Sequence, residues 1–170
     1  LGRLILGLLI HCPHKIKLIG DKSLSKRDFS RVINPLKNFG ANFYQSKKSS
    51  LPLYIQGTKY VRPIKYFETR GSAQCKSSVM LAALNTPGKT LIKAKKSRDH
   101  TEILFKQLKI PIKIKKEKKF DLIEVEGKQN FPAFNYKIPS DISSSAFFIV
   151  LALLSKRSKL IIKNVNLNPS

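Results

Sequence analysis

The 170-residue sequence has no tryptophan, one methionine, two cysteines, three histidines and only ten acidic residues. Each shortage removes a class of explanation. Cys12 and Cys75 stand 63 positions apart, which is neither a disulfide framework nor a Cys-x-x-Cys metal pair. His11, His14 and His100 add too few ligands for a structural zinc site, so the cysteines read as ordinary thiols in a reducing compartment. No apolar run approaches the ~18 residues that span a bilayer. Arg3 followed by Leu4 to Ile10 imitates the apolar heart of a signal peptide, but no small-residue cleavage site follows, and a buried helix is the better account. The single methionine is Met80, the first residue is Leu1, and the last residues follow a strand-like run; the sequence reads as an internal fragment.

What is abundant is positive charge. Lys and Arg number 33, giving a formal +23, while 42% hydrophobic residues are an ordinary share for a globular chain and argue against disorder. Such a charge admits a nucleic-acid partner, because phosphate neutralisation dominates those affinities. Seven lysines fall between Lys106 and Lys119 with Glu117 the one acid among them. Many alternate with isoleucines from Ile110 to Lys116, as they would on the wet face of a strand. No zinc-finger spacing, aromatic ribonucleoprotein motif or basic zipper is present. A basic nucleic-acid-binding domain stays as the alternative, beside a solvated face or a protein that handles small anions.

Helical and strand periods alternate along the chain. Arg27 to Phe39 places Phe29, Val32, Ile33, Leu36 and Phe39 on one helix face, with Ser25 and Asp28 as a capping-box start and Gly40 as the stop. Asp99 to Lys109 repeats this plan, with Asp99 as cap, Glu102 three residues on, and Ile103, Leu104 and Leu108 as the stripe. Strands are expected at Lys15 to Ile19, Asn42 to Gln45, Leu51 to Gln56, Val61 to Phe67, Thr90 to Lys93, Ile112 to Lys116, Asp121 to Glu126 and Leu160 to Val165. Further helices are expected at Ser72 to Leu84 and Ser143 to Leu154.

Three stretches, Leu6 to Arg27, Leu81 to Arg98 and Leu151 to Asn168, share one layout. Each is an apolar helix end, a short polar turn, a Lys-rich strand containing Leu-Ile or Ile-Ile, and a second polar turn. The period of roughly 70 residues exceeds that of solenoid repeats and suits a mixed α/β module used two to three times. Gly127 to Pro139, with Phe131-Pro132 and Ile138-Pro139, reads as a crossing between lobes.

Seven phrases, in order, carry a more specific signal. They are Gly20 to Arg27 (GDKSLSKR), Asn34-Pro35-Leu36 to Gly40-Ala41, Leu51-Pro52-Leu53, Gly71 to Ser77 (GSAQCKS), Ser97 to Glu102 (SRDHTE), Ser140 to Ser144 (SDISS) and Asn164 to Pro169. Together they resemble the enolpyruvyl transferase family, in the branch that uses shikimate 3-phosphate. The sister branch acting on UDP-N-acetylglucosamine has a cysteine in the loop matching Gly20 to Arg27 and lacks the Ser-Arg-Asp-His-Thr-Glu phrase. The resemblance implies an α/β (α+β) fold of repeated βαβαββ units in two lobes, helices inside and sheets outside. Residues 1–130 would belong to the first lobe as its second and third units, 131–140 to the interlobe crossing, and 141–170 to the start of the second lobe.

The activity implied is transfer of the enolpyruvyl group of phosphoenolpyruvate to the 5-hydroxyl of shikimate 3-phosphate, with no cofactor and no metal. Both substrates are polyanions and call for cationic donors. By resemblance, Arg27 holds the phosphate of phosphoenolpyruvate, where a bland reading would make it a surface arginine opposing a helix dipole. Ser72, Ala73 and Gln74 grip shikimate 3-phosphate at a strand-to-helix turn, and Gln74 touches both substrates. Free N–H groups at a helix start suit phosphate, although a plain N-cap would look the same. Ala73 replaces a second serine found in many relatives and offers its backbone N–H. Ser97 and Arg98 form a second clamp on shikimate 3-phosphate. His100 matches no catalytic histidine of the family. Arg3 ends the family's Gly-Asn-x-Gly-Thr-x-x-Arg motif and has a hinge or support role with Asp141, which could equally cap the helix that follows it. The acid and base residues are expected outside this chain, which should be inactive alone. The expected setting is a bacterial cytoplasm and a monomeric full-length enzyme, with neither membrane nor nucleic acid as partner.

Overall fold

The computed structural model describes residues 1–45, 50–128, 130 and 132–166. The end of the phrase Asn164 to Pro169 lies outside the described residues. The chain divides into two compact units, Leu1–Phe131 and Pro132–Ser170.

The first unit runs α1 (Gly2–Leu9), β1 (Lys15–Leu18), α2 (Lys22–Ser25), α3 (Ser30–Asn38), β2 (Asn42–Gln45), β3 (Leu53–Gln56), β4 (Lys65–Glu68), α4 (Ala73–Ala83), β5 (Lys89–Lys95), α5 (His100–Gln107), β6 (Ile112–Lys116) and β7 (Phe120–Glu126). β1, β3 and β2 form one sheet in that order, both pairings antiparallel. The second sheet has the order β4-β5-β7-β6, with β4 parallel to β5 and the other pairs antiparallel. From β4 to β7 the chain is thus one complete βαβαββ unit. The preceding run from α1 to β3 repeats its last five elements with the same strand order, apart from the added short helix α2, so the first two copies of the repeat read from the sequence recur in space.

Alternation decides which face of each sheet is buried. In β5, Thr90, Ile92 and Ala94 point inward while Lys89, Leu91, Lys93 and Lys95 point out, and β7 buries Asp121, Ile123 and Val125 in the same way. The outward lysines lie along aromatic rings: Lys93 sits over Phe67 and Phe120, and Lys15 over Tyr44 and Tyr54. Helix α4 is the most buried element and packs against α1, α3, β5 and β7. Its contact with α1 is close enough that a Cβ on Gly7 would lie 2.1 Å from the Ser78 carbonyl oxygen. Helices therefore lie within and the lysine-bearing sheet faces without.

Several expectations are corrected. The helix expected from Arg27 starts at Ser30, because Asp28 turns back to bind the Ser30 backbone N–H (2.8 Å) and hydroxyl (2.7 Å) instead of joining a box with Ser25. Lys22–Ser25 forms a short helix that periodicity could not reveal, capped by Asp21 accepting from Leu24 N–H at 2.6 Å. Asp99 stands at the N-cap of α5 without a capping bond, and Glu102 is committed elsewhere. Gly40 ends α3 as expected, with φ at +111°.

In the second unit, Asp141 caps α6 (Ile142–Leu154), accepting from the Ser143 backbone N–H at 3.0 Å and the Ser144 hydroxyl at 2.8 Å. These bonds, the Ser144 one first, hold the Asp141 carboxyl below the usual carboxylate range. No residue of α6 is buried, and Phe147 is 82% exposed although the helix is apolar nearly all round. The strand expected from Leu160 to Val165 does not form. A single parallel bridge joins Ser140 to Val165, since a strand needs a partner along its length and the described residues supply only that one.

Candidate functional site

Three segments singled out in the sequence meet at the start of α4. The first is the turn between β4 and α4. Glu68, 3% exposed, accepts from the backbone N–H groups of Arg70 (3.1 Å) and Ser72 (2.9 Å), which folds the chain so that Ser72 becomes the N-cap. The Ser72 hydroxyl accepts from Cys75 N–H at 3.3 Å. Ala73 and Gln74 then form the first helical turn, where backbone N–H groups have no acceptor within the helix and the dipole is positive. Ser72 and Ala73 are half-buried and Gln74 is exposed.

The second segment contains Arg27. It is exposed, in the bend between α2 and α3, and so outside any helical turn. Arg3 ties this bend to α4: its guanidinium donates from Nη1 to Gln74 Oε1 and from Nη2 to the Asp28 carbonyl, both at 2.8 Å. The same guanidinium lies 5.8 Å from the Phe29 ring centroid, and the Arg3 carbonyl accepts from the Ser78 hydroxyl at 2.9 Å. The two hydrogen bonds donated by Ser30, the hydroxyl's the stronger influence, hold the Asp28 carboxyl below its ordinary range, and Arg3 and Arg31 add smaller attractions.

The third segment is Ser97-Arg98, directly before α5. Arg98 is exposed and Ser97 half-buried, with the Ser97 hydroxyl oxygen buried and without a hydrogen-bond partner. Lys76 Nζ lies 3.5 Å from the Ser97 carbonyl and 2.5 Å from Glu102 Oε1, and Thr101 donates to the Ser77 hydroxyl at 2.6 Å. Residues 97–102 are thereby fastened to the second turn of α4. Asp99 pairs with Lys116 at 3.6 Å.

This arrangement offers two helix starts side by side, each with a hydroxyl, and arginines at the rim. It suits an anion with several oxygens. The family profile described as EPSP synthase (3-phosphoshikimate 1-carboxyvinyltransferase) matches residues 2–170. The chain belongs to the EPSP synthase family. The 3-phosphoshikimate 1-carboxyvinyltransferase of Caldicellulosiruptor saccharolyticus is 45% identical over 99% of this chain, and that of Enterococcus faecalis is 38% identical over 98%. An EPSP synthase structure from Acinetobacter baumannii superposes with a TM-score of 0.79 at 33% identity, covering 98% of this chain and 37% of that one. The chain spans 39% of the length of the C. saccharolyticus relative. The fold is that of the family's α/β architecture.

The sequence offers Arg27, Ser72, Ala73, Gln74, Ser97 and Arg98 as site candidates and Arg3 as a support, but not Arg3's bonds to Gln74 and Asp28, nor Glu68, Lys76 and Glu102. Lys76 carried one overlooked signal, a charge inside the apolar run from Cys75 to Leu84. The link from Arg3 to Gln74 spans 71 positions and had none. Asp141 belongs to the second unit and is placed there as the cap of α6. A groove of about 560 Å³ on the outward face of the four-stranded sheet, among Phe67, Lys93 and Lys115, is lined by none of the candidates. Lysines there alternate outward along strands, and no comparison supports the nucleic-acid alternative. Among the described residues no three His, Cys, Asp or Glu side chains stand together as a metal site, and no helix is long and apolar enough to cross a membrane.

Proposed function

We propose that this chain is the part of an EPSP synthase that binds the two phosphorylated substrates. The 5-hydroxyl of shikimate 3-phosphate gives its proton to a base as its oxygen adds to C2 of phosphoenolpyruvate, and a proton from an acid enters at C3. Phosphate then leaves C2 and a C3 proton departs, giving 5-enolpyruvylshikimate 3-phosphate and phosphate. Arg27 holds the phosphate of phosphoenolpyruvate as a bidentate fork. Ser72, Ala73, Ser97 and Arg98 bind shikimate 3-phosphate through hydroxyls, first-turn N–H groups and a guanidinium. Gln74 touches both substrates, oriented by Arg3.

The observation that carries this reading is the joining of the Ser72–Gln74 and Ser97–Arg98 segments at two neighbouring helix starts, each in a phrase that matches the family. Ser97 adds a hydroxyl that has no partner within the chain. Residues 1–130 serve the first lobe, 131–140 the crossing, and 141–170 the second lobe, with Arg3 and Asp141 as supports. Proton-transfer groups come from the length of the relatives that this chain does not span. The full-length enzyme works as a monomer in the cytoplasm.

The test is phosphate release. Full-length protein given phosphoenolpyruvate and shikimate 3-phosphate should release phosphate only when both are present. The 170-residue chain alone should release none, because each missing acid-base or electrostatic contribution is typically worth about 10² or more. Full-length protein inert toward the pair would refute the reading.

A further inference from the structure

Lys76 and Glu102 are assigned no substrate contact above, yet they form a nearly buried ion pair. Their side chains are 1% and 4% exposed, and Nζ lies 2.5 Å from Oε1. Removing two charges from water is costly, and an apolar pair of similar volume is often at least as stable. Stability therefore does not account for the pair, and its position does. Lys76 follows the α4 N-cap Ser72 by four residues, and Glu102, in the first turn of α5, follows the N-cap Asp99 by three. The pair joins α4 to α5 at the first turns of the two helix starts that carry the candidate phosphate groups.

Two neighbours extend this brace. Thr101 donates to Ser77 at 2.6 Å, and Lys76 Nζ reaches the Ser97 carbonyl at 3.5 Å. Glu102 stands three residues after the N-cap position, where a carboxylate could reach back and cap α5, but it turns into the core toward Lys76. The Arg27 bend is tied to α4 by Arg3 and not by this pair.

We propose that Lys76 and Glu102 are positioning residues, whose ion pair sets the spacing between Ser72–Gln74 and Ser97–Arg98 so that both close on shikimate 3-phosphate. The inference rests on the functional reading above. It demands a selective effect, on one substrate more than the other.

The experiment compares full-length wild type, Lys76→Met/Glu102→Leu and Glu102→Gln. The double variant removes both charges while roughly keeping volume, so it should unfold at or above the wild-type temperature. Its KM for shikimate 3-phosphate should rise about tenfold or more, because small misplacements of binding groups are expensive, while KM for phosphoenolpyruvate, which meets only Gln74 of the displaced groups, should rise clearly less. Glu102→Gln should move the same KM in the same direction by about threefold. An unchanged KM for shikimate 3-phosphate in a folded double variant overturns the proposal, as does an equal rise in both KM values. If the double variant does not fold, Glu102→Gln decides by the same criteria. Wild type that fails to turn over the two substrates refutes the functional reading instead, a distinct result.

Discussion

Replacing Gly7 by alanine should loosen the molecule at the contact on which Arg3 depends. The new Cβ would sit 2.1 Å from the Ser78 carbonyl oxygen, where real Cβ contacts essentially never fall below 3.0 Å, so α1 and α4 must part by about 0.9 Å. Overpacking of this kind costs about 1–3 kcal/mol, and the better helix propensity of alanine returns up to about 1 kcal/mol. The net loss should reach up to about 2 kcal/mol, read as a fall of up to about 8 °C in Tm. Gly2→Ala in the same helix is the control, since its Cβ would meet nothing nearer than 3.7 Å. The same displacement would stretch the 2.8 Å Arg3 bond to Gln74 on α4 toward the limit of hydrogen-bonding range. Thermal unfolding of the two variants beside wild type checks this. Equal Tm values for Gly7→Ala, Gly2→Ala and wild type would refute the close-packing argument.

Arg27→Ala in the full-length protein should raise KM for phosphoenolpyruvate by about 10- to 150-fold, the equivalent of about 1.5–3 kcal/mol of charge-assisted bonding. Gln74→Ala should raise both KM values, and steady-state kinetics with each substrate varied in turn distinguishes the two variants. His11 gives a pH test: it is half-buried and its Nε2 lies 3.1 Å from the Ala82 carbonyl, with burial holding its pKa down and that bond partly opposing. Because the folded-state value lies below the unfolded one near 6.5, the unfolded chain takes up the proton first as pH falls. Stability should decline as pH drops below about 6.5 and level off under the folded-state value. Urea unfolding at pH 7.5 and 5.5 should show that decline in wild type and a smaller one in His11→Gln.

The elements most legible in the sequence were those whose pattern is enforced locally. Ile112–Lys116 alternates cleanly because one face of β6 meets the core, whereas the stripe expected in α5 was misplaced: Ile103 is exposed, and Glu102 and Phe105 are the buried residues. Elements set by particular side-chain choices were less legible. Asp28 could have capped a helix beginning at Arg27 but closes on Ser30, and four residues are too few for Lys22–Ser25 to show a period. Leu160 to Val165 has the composition of a strand, but a strand is a pairing, and composition does not supply the partner. The site shows the same division. Its candidate anion-binding residues sit in short contiguous phrases and could be named, whereas Arg3 with Gln74 and Lys76 with Glu102 are joined only by the fold.

The claim that matters most is that specific helix-start groups, and not the surplus positive field, capture the substrate. Arg98→Ala and Lys113→Gln/Lys115→Gln in the full-length protein separate the two. Lys116 is left intact because it pairs with Asp99 beside the clamp. Arg98→Ala should raise KM for shikimate 3-phosphate by about 10-fold or more through a lost charge-assisted contact. The double lysine variant should change turnover little at physiological salt, where exposed charges beyond about 8 Å are screened. Loss of turnover in the lysine variant with a silent Arg98→Ala would contradict the account.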